Sequence, residues 1–273
     1  GPAGTAGAEP RAPWCQVNTG DYRTVPVRWA MDRCAVCDEE RDYEWDQFVS
    51  CDRCHITVHQ NCFGVTEVPT EGNVWVCRSC EEVDAGRPAP KCCLCPIEGG
   101  ALKPTTIDGL WAHVADSMWV PELTVEDVNK MEPIDRVRSI QKERWELNCC
   151  VCKQKMGAKI QCAADCYAAY HPLCGRMAGF VMDVVPQDVN DPDGPVQMVS
   201  FCGRHRKPDT TMVGLFRKEE GGEEGAGKEH EADVEDIPIN EEGCARAHPM
   251  VAWERCSHGT GALGSGAFKG TGR

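Results

Sequence analysis

Apolar residues come along this chain in short, broken groups, and no stretch reaches the roughly 18 to 20 needed to span a membrane. CDRCHITVHQNCF, residues 51–63, is typical: three cysteines and two histidines in thirteen positions, with too few aliphatics to build a core of its own. The pattern predicts short strands, turns and one brief helix after His171 as the only regular structure. DQFVS (46–50) reads as one strand, and GFVMDVVPQDVNDPDGPVQMVSF (179–201) as two apolar arms around a polar tip, a long hairpin. Something other than apolar burial must hold such a chain.

Composition says what. There are 20 Cys in 273 residues, a density at which cross-links or metals take over from burial. GPAGTAGAEPRAP at the start has neither the charged beginning nor the apolar run of a signal peptide. The missing initiator Met suggests a piece of a longer protein. The cysteines then decide between disulfides and zinc. CAVC (Cys34, Cys37), Cys51, Cys54, His59, Cys62 and CRSC (Cys77, Cys80) form three C-x-x-C pairs around one His and one Cys. Two thiolates at that spacing meet one ion within tetrahedral geometry. Eight such donors make two closed zinc sites. A disulfide framework would leave His59 unexplained and rarely repeats C-x-x-C.

These residues resemble the PHD finger, with four Cys, one His and three Cys in order and a Trp (Trp75) two positions before the seventh ligand. A RING domain, the ubiquitin-ligase alternative, places its His earlier and lacks that Trp. The cross-braced pattern of the family implies one zinc on Cys34, Cys37, His59 and Cys62. It implies another on Cys51, Cys54, Cys77 and Cys80, with His55 a solvated spare. Downstream stand Cys92, Cys95 and His113, then Cys149, Cys152, Cys162, Cys166, His171 and Cys174, and finally Cys202 and His205 in FCGRH. This order is similar to the PZP module: PHD finger, zinc knuckle and extended PHD finger. It occurs in plant trithorax-like histone methyltransferases and in the Jade and bromodomain-PHD scaffold proteins. GGALKPT, WVPE and KMEPIDRV are like its joining segments.

The resemblance implies a small zinc-stabilised α+β fold of tandem cross-braced fingers with disordered flanks. Its expected parts are a flexible flank over 1–31, a PHD finger over 32–84 and a knuckle over 88–130. An extended finger over 131–207, with the 179–201 hairpin inserted, and an acidic, Gly-rich tail over 208–273 complete it. In the second finger, Cys149, Cys152, His171 and Cys174 would share one zinc, and Cys162, Cys166, Cys202 and His205 the other. The knuckle departs from the pattern, because WAHVADSMW puts Asp116 where the family has its last Cys. Zinc accepts a carboxylate oxygen, so Asp116 is a candidate fourth ligand and the expected total is five zincs. Two rivals stand beside it: Cys93 as the fourth thiolate, or a site left short of a ligand. Cys93 and Cys150 otherwise read as small buried hydrophobes, and Cys15, Cys244 and Cys256 as flank residues.

Four protein donors per site leave no position for a catalytic water, so these zincs read as structural and the segment as non-catalytic. Charge points to the ligands. The net charge of −14 is uneven. Residues 32–84 hold thirteen acids against four arginines. Charge runs are usually solvated faces, but this one also suits a basic peptide. PHD fingers bind histone H3 tails by adding the peptide as a strand. The resemblance therefore implies tail contacts at Asp38, Glu39, Glu40, Asp42, Asp46, Gln47, Phe48, Val49 and Ser50. Carbonyls of PTEGN, at Glu71 and Gly72, would capture the peptide's amine. Residues 130–160 instead carry eight basic residues against four acids. Lys142, Arg144, Lys153, Lys155, Lys159, Arg204, Arg206 and Lys207 are thus candidates for phosphate contacts with nucleosomal DNA.

The expected function is a nuclear chromatin reader of the H3 tail, in its unmodified state, within a chromatin-modifying complex. The alternative makes the chain the non-catalytic part of a trithorax-like methyltransferase whose SET domain lies outside it. EEGCARAHP (241–249) resembles a segment that precedes that domain in the plant proteins.

Overall fold

A computed structural model describes residues 12–18, 23–70, 72–164, 166–188, 191 and 194–205. Among these residues the short apolar runs become ten strands paired into five separate two-stranded antiparallel sheets, with five short helices between them. In the first finger β1 (Phe48–Ser50) pairs with β2 (Thr57–His59), followed by α1 (Gln60–Phe63) and α2 (Arg78–Asp84). The knuckle has β3 (Leu102–Pro104) on β4 (Trp111–His113), then α3 (Val114–Trp119). The hairpin β5 (Thr124–Asp127) and β6 (Glu132–Asp135) leads to α4 (Lys142–Glu146). The second finger contains β7 (Ile160–Gln161), β8 (Ala169–Tyr170), α5 (Pro172–Met177), and the long pair β9 (Val181–Pro186) and β10 (Val196–Phe201).

One unit recurs three times. A hairpin ends on a His (His59, His113) or on the residue before it (Tyr170, before His171), and a helical turn begins directly after that His. Three residues later that turn presents Cys62, Asp116 or Cys174, which helical spacing puts on the face of the preceding His. Pro172 opens α5, where its fixed φ suits the first turn and its absent N–H goes unmissed. Gly64 closes α1 at φ +73, and a Cβ there would collide with the Lys130 backbone, so the first finger sits tightly on the knuckle.

Two apolar clusters result. The first finger has its own, around Val36, Ile56, Val58 and Phe63, and borrows Ala101 and Val114 from the knuckle. A larger one joins the knuckle to the second finger through Leu94, Leu102, Ile134, Tyr170, Leu173 and Met177. Arg176 of α5 links the two fingers directly. Its buried guanidinium donates to the carbonyls of Ala35 (3.2 Å) and Val36 (2.6 Å), inside the first C-x-x-C turn.

The expected flexible flank over 1–31 is corrected for its described part. Residues 13–18 form a 3-10 turn that buries Val17 and sets Trp14 edge-on to Trp145, with ring centroids 6.4 Å apart. Cys15 lies in this turn. Further on, Arg23 and Gln154 exchange two hydrogen bonds. Val25 bridges to Ile97, and Trp29 Nε1 donates to Glu98 O at 2.9 Å. The Trp29 ring covers Gly100, where a Cβ would strike it. Apolar burial of these side chains ties the segment to the knuckle and to the second finger; the Gly- and Pro-rich start had masked that. The 179–201 hairpin and the helix after His171 form as expected, but that helix is not alone: α1 to α4 correct the expectation of a single one.

Candidate metal clusters and ligand surfaces

Among the described residues, five groups of four donors converge, and in each the ligand atoms lie within 4.8 Å of one another. They are Cys34, Cys37, His59, Cys62; Cys51, Cys54, Cys77, Cys80; Cys92, Cys95, His113, Asp116; Cys149, Cys152, His171, Cys174; and Cys162, Cys166, Cys202, His205. The first two interleave along the chain, as do the last two, which is the cross-brace.

The histidines are aimed. His59 Nε2 donates to Arg41 O (2.7 Å), His113 Nε2 to Gly99 O (2.7 Å) and His171 Nε2 to Met156 O (2.6 Å). Each bond leaves the Nδ1 lone pair facing the sulfurs, at 3.3 Å from Cys37, 3.3 Å from Cys95 and 3.5 Å from Cys152 and Cys174. A backbone acceptor that fixes the tautomer in this way is the usual support of a metal-binding imidazole. In the last group His205 Nδ1 lies 3.4 Å from both Cys162 and Cys202. Backbone N–H groups also point at one sulfur per knuckle turn: Val36 and His59 at Cys34, Cys77 at Cys51, Leu94 and His113 at Cys92.

Crowded thiols cannot all ionise without a cation. Hydrogen bonds from Cys37 and Cys62 hold Cys34 down at about 2, and the same Cys34 contact pushes Cys62 far up. In the knuckle burial opposes ionisation, yet the Cys95 thiol and the His113 charge bring Cys92 down to about 6. Burial likewise opposes charge on His113, but the Cys92 thiolate and Asp116 raise it to about 10. These donor sets are mutually frustrated as bare acids and suited to a doubly charged soft ion.

The comparisons agree with that chemistry. Residues 45–81 match the family described as PHD-finger, and residues 90–205 that described as PHD-zinc-finger like domain. The crystal structure of the zebrafish PHF14 PZP is similar at 26% identity and a TM-score of 0.51, over 64% of this chain and 89% of that one. The chain carries a PZP module. Histone H3-lysine(4) N-trimethyltransferase ATX1 of Arabidopsis thaliana is 41% identical over 239 residues, 86% of this chain and 22% of that protein. Protein Jade-1 of Danio rerio is 40% identical over 192 residues, 70% of this chain and 21% of that protein. The chain thus spans about a fifth of the length of the curated relatives it matches. The match is to the tandem PHD-type zinc-binding region, a reader type of domain in chromatin regulators.

Within the PZP module the sequence-derived contact residues divide. In the first finger Gln47 O accepts from Gln60, and Cys51 N–H donates to Ile56 O. Alternation along the ladder therefore turns the backbone groups of Phe48 and Ser50 away from β2. Asp42 Oδ1 already accepts the Phe48 N–H at 2.7 Å, and Asp46 accepts that of Asn61 at 2.8 Å. Asp38 and Glu40 both pair with Arg33, whereas Glu39 stays exposed. Val49 is corrected as a contact: its side chain is buried and its backbone groups face Val58 of β2, so neither is open to a ligand. Gly72 is exposed at φ +89; Glu71 lies outside the described residues.

In the second finger Lys142, Lys153, Lys155 and Arg204 are exposed, and Arg206 and Lys207 lie outside the described residues. Arg144 is engaged by Glu122 at 2.8 Å. Lys159 is a correction. It is completely buried, and its Nζ donates to the carbonyls of Trp145, Lys155, Met156 and Gly157 at 2.5 to 3.2 Å. Charge alone had put it on the surface, but an amine can leave water where several carbonyls replace its hydration shell. It gathers the loop whose Met156 carbonyl orients His171. In the knuckle, Asp116 and not Cys93 joins Cys92, Cys95 and His113, while Cys93 is buried in the core.

Sequence reasoning missed Trp29, Arg176 and the inward role of Lys159. For Trp29 a signal existed: Val25, Val27 and Trp29 alternate in RTVPVRWA, the period of a half-buried strand.

Proposed function

We propose that this chain is a nuclear chromatin reader. Its twenty clustered Cys, His and Asp residues would hold five structural zincs, its first finger would take an unmodified histone H3 tail, and its second would touch nucleosomal DNA. The observation that carries the reading is the outer edge of β1. Among the described residues β1 pairs only with β2, and it belongs to a finger with thirteen acids against four arginines. A basic peptide added there as a third strand gains main-chain hydrogen bonds for affinity and acidic neighbours for selectivity. The exposed turn at Gly72 supports capture of the peptide's free amine.

The unmodified state is favoured by what stands two positions before His59. A trimethyl-lysine cage needs aromatic walls, and that place belongs to Thr57, which is buried with its hydroxyl donating to Met31 O at 2.8 Å. Tyr43 and the exposed Trp45, with ring centroids 5.3 Å apart, supply part of a cage amid carboxylates that suit a bare ammonium better. In fluorescence titrations the unmodified H3 tail peptide should bind more tightly than its trimethylated form. The reverse order would sink this reading.

For DNA, the full chain should bind duplexes weakly and without sequence preference, with affinity falling steeply as salt rises, since released counterions drive such binding. Charge reversal at Lys142, Lys153 and Lys155 should weaken every sequence alike, whereas an intact mobility shift in that triple variant would remove the second finger from the interface. The similarity to ATX1 over 86% of this chain favours a second reading, in which the parent protein methylates histone H3. Sequence beyond Arg273 that encodes a SET domain would establish it.

A further inference from the structure

Asp116 meets two elements through two separate atoms, where a cysteine has a single sulfur. Its carboxylate is 0% exposed, and its two oxygens face different elements. Oδ2 lies 3.4 Å from Cys92 Sγ and 3.2 Å from His113 Nδ1, inside the knuckle donor set. Oδ1 accepts the Leu173 N–H at 3.2 Å, in the first turn of α5. Leu173 stands between His171 and Cys174, both donors of the neighbouring second-finger group. The same helix ends near Arg176, which holds the Ala35 and Val36 carbonyls of the first finger. A thiolate offers one atom, which would have to meet both the donor set and the Leu173 N–H, whereas the carboxylate gives each its own oxygen.

We propose that Asp116 is a shared ligand: one oxygen completes the knuckle metal site while the other anchors α5, so that metal in the knuckle stabilises the adjacent second-finger site. The inference rests on the zinc reading above. A metal-bound carboxylate has its plane fixed, and its free oxygen is then a preset acceptor for an amide that no earlier turn of the helix can satisfy. The exchange of Cys for Asp gives up a soft sulfur for a harder oxygen. In return it connects two metal centres through a single side chain.

The test compares zinc-saturated full-length wild type, Asp116→Cys and Asp116→Asn. Native mass spectrometry counts zinc as a chelator is raised, and amide exchange is followed at Leu173. Asp116→Cys should hold as many zincs as wild type, with the knuckle ion firmer. Its Leu173 amide should nevertheless exchange about 10 to 100 times faster, as expected for loss of one charge-assisted hydrogen bond. Its second-finger zinc should also leave at lower chelator. Asp116→Asn keeps an acceptor for Leu173 but turns an amide nitrogen toward the donors, and should hold one zinc fewer.

Unchanged Leu173 exchange in zinc-replete Asp116→Cys overturns the coupling and leaves the zinc reading standing. Equal zinc counts in wild type and Asp116→Asn remove the carboxylate from the ligand set and overturn the proposal at its root. A wild type that binds no zinc defeats the zinc reading itself. Should Asp116→Cys not fold, wild-type Leu173 exchange before and after the first zinc is released decides, and an unchanged rate overturns the coupling.

Discussion

Stripped of zinc, the chain will lose its fold throughout the described region instead of loosening cluster by cluster. The reason lies in how little else holds it. Among the described residues the sheets have two strands each and the longest helix has seven residues, and an isolated two-stranded hairpin is at best marginal in water. Structural zinc contributes about 10–16 kcal/mol per site in small fingers, against about 5–15 kcal/mol for the net stability of a whole domain. The metal-free thiols also oppose one another, as the opposite displacements of Cys34 and Cys62 show. Excess chelator should therefore collapse the dispersion of amide resonances and the near-ultraviolet circular dichroism together, and added zinc should restore both. A dispersed spectrum that survives removal of every metal would mean that the apolar clusters suffice alone.

Lys159→Ala should be nearly as damaging for a single change. It leaves the carbonyls of Trp145, Lys155 and Gly157 facing a cavity without that donor, while Met156 O keeps only His171 Nε2. Each buried acceptor deprived of its partner costs about 1–3 kcal/mol, partly recovered where the loop relaxes, so a loss of about 3–5 kcal/mol is expected. Lys155→Ala, at an exposed position four residues earlier, should stay within about 0.5 kcal/mol. Urea denaturation of the zinc-saturated proteins separates the two. Equal midpoints would show that the amine is dispensable. The loop has no slack to absorb the loss: Gly157 holds φ +74 with the Leu94 carbonyl packed against it.

The metal clusters were legible because ligand spacing is a local, one-dimensional signal. C-x-x-C and His-x-x-Cys place donors on one turn whatever the rest of the chain does. Even the odd member of the knuckle cluster was visible, since Asp116 falls at the required interval after His113 and the structure turns it inward. Burial of charged groups was not legible in that way. Lys159 and Lys155 look alike in sequence, and only the closure of the Lys155–Lys159 loop around the amine distinguishes them. Arg176 has the same history: its acceptors lie 140 residues away in the chain, beyond any local pattern. The start of the chain was misread for the opposite reason. Glycine and proline at residues 1–13 coloured the whole flank, although Trp14, Val17 and Trp29 carried enough apolar surface to dock.

The long hairpin has a consequence for how this architecture can diversify. β9 and β10 run between the last donor of one second-finger group, Cys174, and the Cys202–His205 pair of the other. Its base is fixed by the Phe201–Val181 pairing, and it is closed again by the Gln187 N–H on Pro195 O. Everything the sites require therefore lies on the near side of the hairpin's tip. Closing a longer loop costs only about 0.6 kcal/mol for each doubling of length. The arm between the two sites is thus free to lengthen, shorten or acquire a new epitope while the geometry at its root stays constant. Evolution can edit this finger by insertion at the tip, where substitution near the root would break it.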